Sequence, residues 1–319
     1  MLKSWIDTDK LDYDGLSSNP HTSAIDLLRL NPEKISWIRL CQNKHPDAIA
    51  LLKENPDKIN WSHFSCNKNP DAIALLRENF DQVDWIGFSV NEHPDAVSFL
   101  IEKYEEIFAD SLSLNKHPDI VSLLLENQDD IDWEYFSENG NREAVAFLRN
   151  NPDKIDWFHF AKNEHPDAIA MMANEMKENP EKINWGELSD NENPDAIALL
   201  RENPEKINWG ELSYNTHPDA VALLRENMDK IRWGSLSANS SEDAIALLRE
   251  NTYKICWYEL SGNKHPDALI LLEQFHTGLI VPPYEEKDSF DVQYLGKNKI
   301  NWSSLSRNPL IFEERYVLK

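Results

Sequence analysis

Cysteine, glycine and positive charge are all scarce in this chain. It has three Cys in 319 residues (Cys41, Cys66 and Cys256), none in a CxxC pair. That leaves no disulfide framework and points to a reducing compartment. Nine Gly leave little room for loops that cradle phosphates, which argues against a nucleotide-binding fold. Lys and Arg number 32 against 56 Asp and Glu, a formal net charge of −24. A surface of that sign repels phosphate backbones, so no nucleic-acid partner is expected. No apolar run approaches the roughly 20 residues of a membrane span. The opening MLKSWIDTDKLD lacks the apolar stretch of a secretory signal. Neither a membrane association nor a leader is therefore expected.

What the chain does have is eleven Trp and 41% hydrophobic residues, too many for a disordered acidic tail. The Trp fall in register. Positions 37, 61 and 85, then 133 and 157, then 185, 209, 233 and 257 are 24 apart wherever the step is regular. Tyr13 fills the column one unit earlier and Ala109 fills the gap after Trp85. The step from Trp157 to Trp185 is 28, and Trp302 follows Trp257 after 24 residues plus an insertion of 21. Twelve units cover nearly the whole chain, the signature of a repeat architecture.

One unit, Ile207 to Lys230, reads INWGELSYNTHPDAVALLRENMDK. An aliphatic stands two residues before each member of this column, Leu or Phe three after it, and Asn six after it; Trp5 lies outside the column. The HPDAVALLREN stretch predicts a short helix, with Pro218 at its first position, His217 as cap and Asp219 favoured by the helix dipole. INWGELS reads as a second helix of one or two turns, α or 3₁₀, capped by Asn208. A strand at I-x-W, as in a leucine-rich-repeat horseshoe, is the alternative, although Ile207, Trp209, Leu212 and Asn215 lack that register. Helices of about nine residues are marginal alone and bury their apolar face only against neighbouring units. The expected fold class is therefore all-α: an α-solenoid, or superhelix, of about twelve 24-residue units. The expected organisation is an N-terminal cap over 1–12, a repeat array over 13–273, an insertion loop over 274–297, and a last unit with C-terminal cap over 298–319. Leu2, Trp5 and Ile6 would form the first cap and a helix over 308–316 the second, because an array must cover its end faces.

Residues that recur twelve times argue for structure more than for catalysis. The Trp column reads as core, and the Asn column as a ladder holding backbone groups in the turns. Six His-Pro-Asp triplets, beginning at His45, His93, His117, His165, His217 and His265, bring J-domain co-chaperones to mind. There the triplet occurs once, between long helices, whereas here it repeats as a helix cap, and the J-domain reading is rejected. His63 and His159 share a column four units apart and cannot meet on a metal. No Ser-His-Asp, Cys-His or paired-carboxylate group stands apart from the repeat. The expectation is no catalytic residue, no cofactor and no metal, hence no enzyme. Nineteen of the 56 acids sit at helix starts, so much of the charge has a local cause. The surface it leaves favours a basic patch on a partner.

Two places depart from the pattern. The unit at Phe108 and Ala109 lacks its Trp and is expected to be a soft point. The insertion carries Pro282-Pro283 with Phe275, Tyr284, Phe290 and Tyr294, residue types that anchor interfaces. In the variable columns near each Trp, Ile38, Ile86, Phe158, Tyr214 and Tyr258 are further candidates for partner contact.

The recurring NPDAIALLRENPDKINWxxLSxN, with the opening LKSWIDTDKLDYDGLSSNP and ending LSRNPLIFEERYVLK, resembles the tandem repeats of uncharacterised proteins of giant double-stranded DNA viruses. The resemblance covers essentially the whole chain and brings no catalytic residue with it. It implies a viral protein acting in the host-cell cytoplasm or the virion. The N-x-x-P-D-A-I-x-L-L step is also similar, more loosely, to leucine-rich-variant repeats, which alternate an α-helix with a 3₁₀ helix but lack the Trp. The function expected is a non-enzymatic protein-interaction scaffold. The alternative is a structural virion component bracing capsid subunits, which many copies per particle would reveal.

Overall fold

The computed structural model describes residues 1–107, 109–280 and 299–313. They fall into two compact units, one made of Met1–Leu51 with Leu212–Lys319 and the other of Leu52–Glu211. Both are α-solenoid stacks of the same repeat, and among the described residues no strand occurs beyond a single isolated bridge.

The repeat around Trp133, in the second unit, shows how the sequence builds it. A one-turn 3₁₀ helix, Gln128–Asp130, is followed by Ile131 and Asp132 in extended conformation. A short helix, Trp133–Ser137, then starts on the Asp132 carboxylate, which accepts the N–H groups of Glu134 and Tyr135 at 3.0 and 3.2 Å. A longer helix, Arg142–Asn150, follows under the Asn141 cap, whose Oδ1 accepts the Glu143 N–H at 2.8 Å. Asn151 ends it by donating back to the Phe147 carbonyl at 2.9 Å. Most repeats thus have three helical pieces where two were expected; before Trp233 the corresponding step, Met228–Lys230, is a plain turn. Where the step reads Pro-acid-Lys, as in Pro152–Lys154, Pro favours the 3₁₀ turn by fixing φ, but the turn also forms from Phe80, Gln128 and Thr252 without it. The I-x-W step is the extended link before the short helix, which settles the strand alternative against a strand.

The core runs along the stack. Ile131, Phe136, Ala144, Val145 and Leu148 are buried, one from the link, one from the short helix and three from the inner face of the long one. Burying such side chains stabilises by about 1.5–3 kcal/mol apiece for the larger ones. The 28-residue step is absorbed inside a helix. Pro166–Glu178 has 13 residues where its counterparts have nine, one extra turn that leaves the stacking register intact.

In the first unit the stack does not stop at the chain's ends. Asn19 Nδ2 donates to the carbonyls of Ser306 and Asn308 at 2.9 and 3.1 Å, the bonds that Asn43 makes to Ser17 and Asn19 at 3.0 and 2.9 Å. Leu2 bridges Phe312, and the Lys3 N–H donates to the Ile311 carbonyl at 2.9 Å. The first and last repeats pack on one another. This corrects the expectation of two separate caps: each terminal face is covered by the other. The 308–316 helix is also corrected, to a single 3₁₀ turn over Pro309–Ile311; residues beyond 313 lie outside the described residues.

Candidate interaction surface

Two side-chain ladders hold each stack, and both are made of residues that could otherwise offer chemistry. The first is the Asn column, buried throughout. Asn139 Nδ2 donates to the carbonyls of Ser113 and Asn115, both at 3.0 Å, while its Oδ1 accepts the Asn141 N–H at 2.9 Å. The ladder therefore crosses from one repeat to the next as well as fixing its own turn. The second is a Ser column that sequence reasoning missed. Ser137 Oγ donates to the Trp133 carbonyl at 2.7 Å and accepts the Asp156 N–H of the following repeat at 3.0 Å. Ser65, Ser113, Ser189, Ser213 and Ser237 accept in the same way. The signal was the near-constant Ser four residues after each Trp.

The histidines are engaged as caps. Nδ1 of His93, His117, His165 and His217 accepts the N–H two residues on, at 3.2–3.3 Å. Acceptance there places the proton of the neutral ring on Nε2. Among the described residues no group of three His, Cys, Asp or Glu converges as a metal site would require. Cys66 has its thiol pushed up by desolvation and by the Asp84 carboxylate, which keeps it from being a thiolate nucleophile. Tyr104 is pushed up strongly, by desolvation and by its 2.5 Å bond to Asp130. No helix of the described residues is long and apolar enough to cross a membrane.

The Trp column is not core, as the periodicity suggested. Trp133, Trp157, Trp185 and Trp209 are half-buried, and Trp257 alone is closed off, at 1% exposure. The reason is their place at the start of the short helix. The Phe or Leu three residues on takes the inner position, and the indole lies edge-on over it. Trp133 and Phe136 have ring centroids 5.9 Å apart at 79°. The outer side meets a lysine of the next repeat: Lys154 Nζ lies 5.0 Å from the Trp133 ring.

Phe275 explains the exception. The helix Pro266–His276 runs into the expected insertion and stacks Phe275 on Trp257, with centroids 4.2 Å apart and planes 7° from parallel. Phe275 is thus part of the repeat packing. Tyr284, Phe290 and Tyr294 lie outside the described residues. The remaining candidates are all exposed: Ile38, Tyr214 and Tyr258 in the first unit, Ile86 and Phe158 in the second, the last two at 67% and 57%. Ile86 and Phe158 occupy the same position one residue after Trp, three repeats apart, so the structure does not gather them into one patch. What recurs on the surface is acid. Of the nineteen helix-start carboxylates, eighteen are exposed and Asp267 is half-buried. No protein-family model matches the chain, and neither does a curated protein or a solved structure.

Proposed function

We propose that the chain is a non-enzymatic scaffold that binds a protein partner through its acidic repeat surface, with a basic patch on the partner. The observation that carries this reading is the regular exposure of the helix-start carboxylates, while Asn, Ser and His are engaged in holding the repeats. Rows of like charge on a preformed surface favour fast, salt-dependent association with an opposite patch. The viral setting, in host cytoplasm or virion, rests on the sequence resemblance. The test is affinity capture from infected cells with wild type and with a variant carrying Asp119→Asn, Asp167→Asn and Asp195→Asn, which keeps the Pro starts and the caps. Partner recovery should fall with the variant and with rising salt, at unchanged circular dichroism. Equal recovery with both proteins would overturn the reading.

A further inference from the structure

The joint between the first and last repeats differs from internal joints in one decisive respect: the chain does not link its two sides within a repeat. Its bonds are otherwise of the same kind. The Asp12 N–H donates to Ser306 Oγ at 2.9 Å, as the Asp156 N–H does to Ser137. Lys10 lies 5.4 Å from the Trp302 ring, as Lys34 lies 4.7 Å from Tyr13. Ser303 Oγ donates to the Asp12 carboxylate at 2.6 Å. The backbones approach closely: a Cβ on Gly15 would stand 2.5 Å from the Ser303 carbonyl oxygen and 2.8 Å from Ser306 Cβ. This too has an internal counterpart, since Gly87 holds the same column and a Cβ there would stand 2.8 Å from Cys66 Sγ. One feature is particular to the terminal joint. Trp5 packs against His276 across the joint, at 5.8 Å between centroids, and its indole N–H is buried with no partner among the described residues.

We propose that this joint is a clasp that opens as a unit and exchanges with a second copy of the chain, each last repeat taking the other copy's first. Repeats contact only their neighbours, so parting this joint leaves the others made. Opening also returns to water the Trp5 N–H, which is buried without a partner among the described residues. A second copy's terminal repeat offers the same donors, acceptors and glycine, so exchange between copies reuses a built interface. Closure within one chain prevails in dilute solution because its effective concentration is high.

The test uses the full chain. By native-state hydrogen exchange, the Asp12 amide should exchange at least about tenfold faster than the Asp156 amide, since a separate opening precedes global unfolding. Unlabelled and nitrogen-labelled copies, mixed at high concentration and then diluted, should give mixed dimers by native mass spectrometry. Ser303→Ala removes one bond of the clasp and should speed the mixing. Gly15→Val cannot close the joint within or between copies and should give no mixed dimers, with internal amides still protected. Equal protection of Asp12 and Asp156, absence of mixed dimers from wild type, or mixing unaffected by both substitutions would each overturn the proposal. If Gly15→Val fails to fold, the Ser303→Ala rates decide the question.

Discussion

In several repeats, such as those of Asn139, Asn163 and Asn239, a single buried Asn carries three bonds, which makes the column a sensitive set of residues. Asn139 satisfies two carbonyls of the preceding repeat and one N–H of its own turn. Asn139→Ala leaves these groups buried and unpaired, at a cost of about 1–3 kcal/mol. Asn139→Asp should be worse, because it turns a carboxylate toward two carbonyl oxygens. Chemical denaturation of both variants measures the order. The Trp residues should divide by burial. Trp257, closed off by Phe275, should cost about 3–5 kcal/mol when replaced by Ala. Trp209→Ala, at a half-buried position, should cost roughly half as much, in proportion to the area removed from water. Equal losses would mean that the indoles act through something other than burial.

At the scale of elements, much of the repeat was legible. The period, the Pro-Asp helix starts, the His and Asn caps and the aliphatic face all follow from local rules, and the nine-residue helices stand where those rules put them. The Ser ladder was less legible, because Ser is read as a turn residue until its partner nineteen positions on is known. The half-burial of Trp was hidden for a related reason: periodicity locates a face but not how deeply it sinks. Links between long helices add to the stack. Arg225 pairs with Glu250 through two bonds at 2.7 and 3.1 Å. The pairing holds the Glu250 carboxyl below its ordinary value of 4.5, the bond to Arg225 being the main cause. A carboxylate with a lowered folded pKa contributes stability that is present above 4.5 and is lost as pH falls through the lowered value. The melting temperature of Glu250→Gln should therefore lie slightly below wild type at neutral pH and converge with it in acid. The insertion is an element the stack bypasses. The Asn301 N–H donates to Ser261 Oγ at 2.9 Å, and Asn308 Nδ2 to the Asn263 carbonyl at 2.9 Å. Deleting residues 281–296 should leave the melting temperature unchanged, and loss of partner capture by that deletion would assign Tyr284, Phe290 and Tyr294 to binding.

For the molecule as a whole, the meeting of first and last repeats was the least legible feature, because no local pattern says that position 19 faces position 306. One signal was present. A free end face has no use for ladder groups, yet Ser306, Asn308, Asp12 and Asn19 keep the residue types of their columns. The joint can be tested by moving the break in the chain. A circular permutant would link the two termini and open the chain within 281–296. The joint at Asp12 and Ser306 then becomes tethered, and the joint at Ser261 and Asn301 becomes the untethered one. Because both joints use the same Ser-to-amide bond, the permutant should fold with an unchanged circular dichroism spectrum. Its hydrogen exchange should be redistributed: the Asp12 amide slows to the rate of internal ladder amides, and the Asn301 amide becomes the faster of the two. A permutant that keeps Asp12 fast would show that local composition, with the buried Trp5 N–H, governs opening. A permutant that fails to fold would show that the terminal joint is not equivalent to the internal ones.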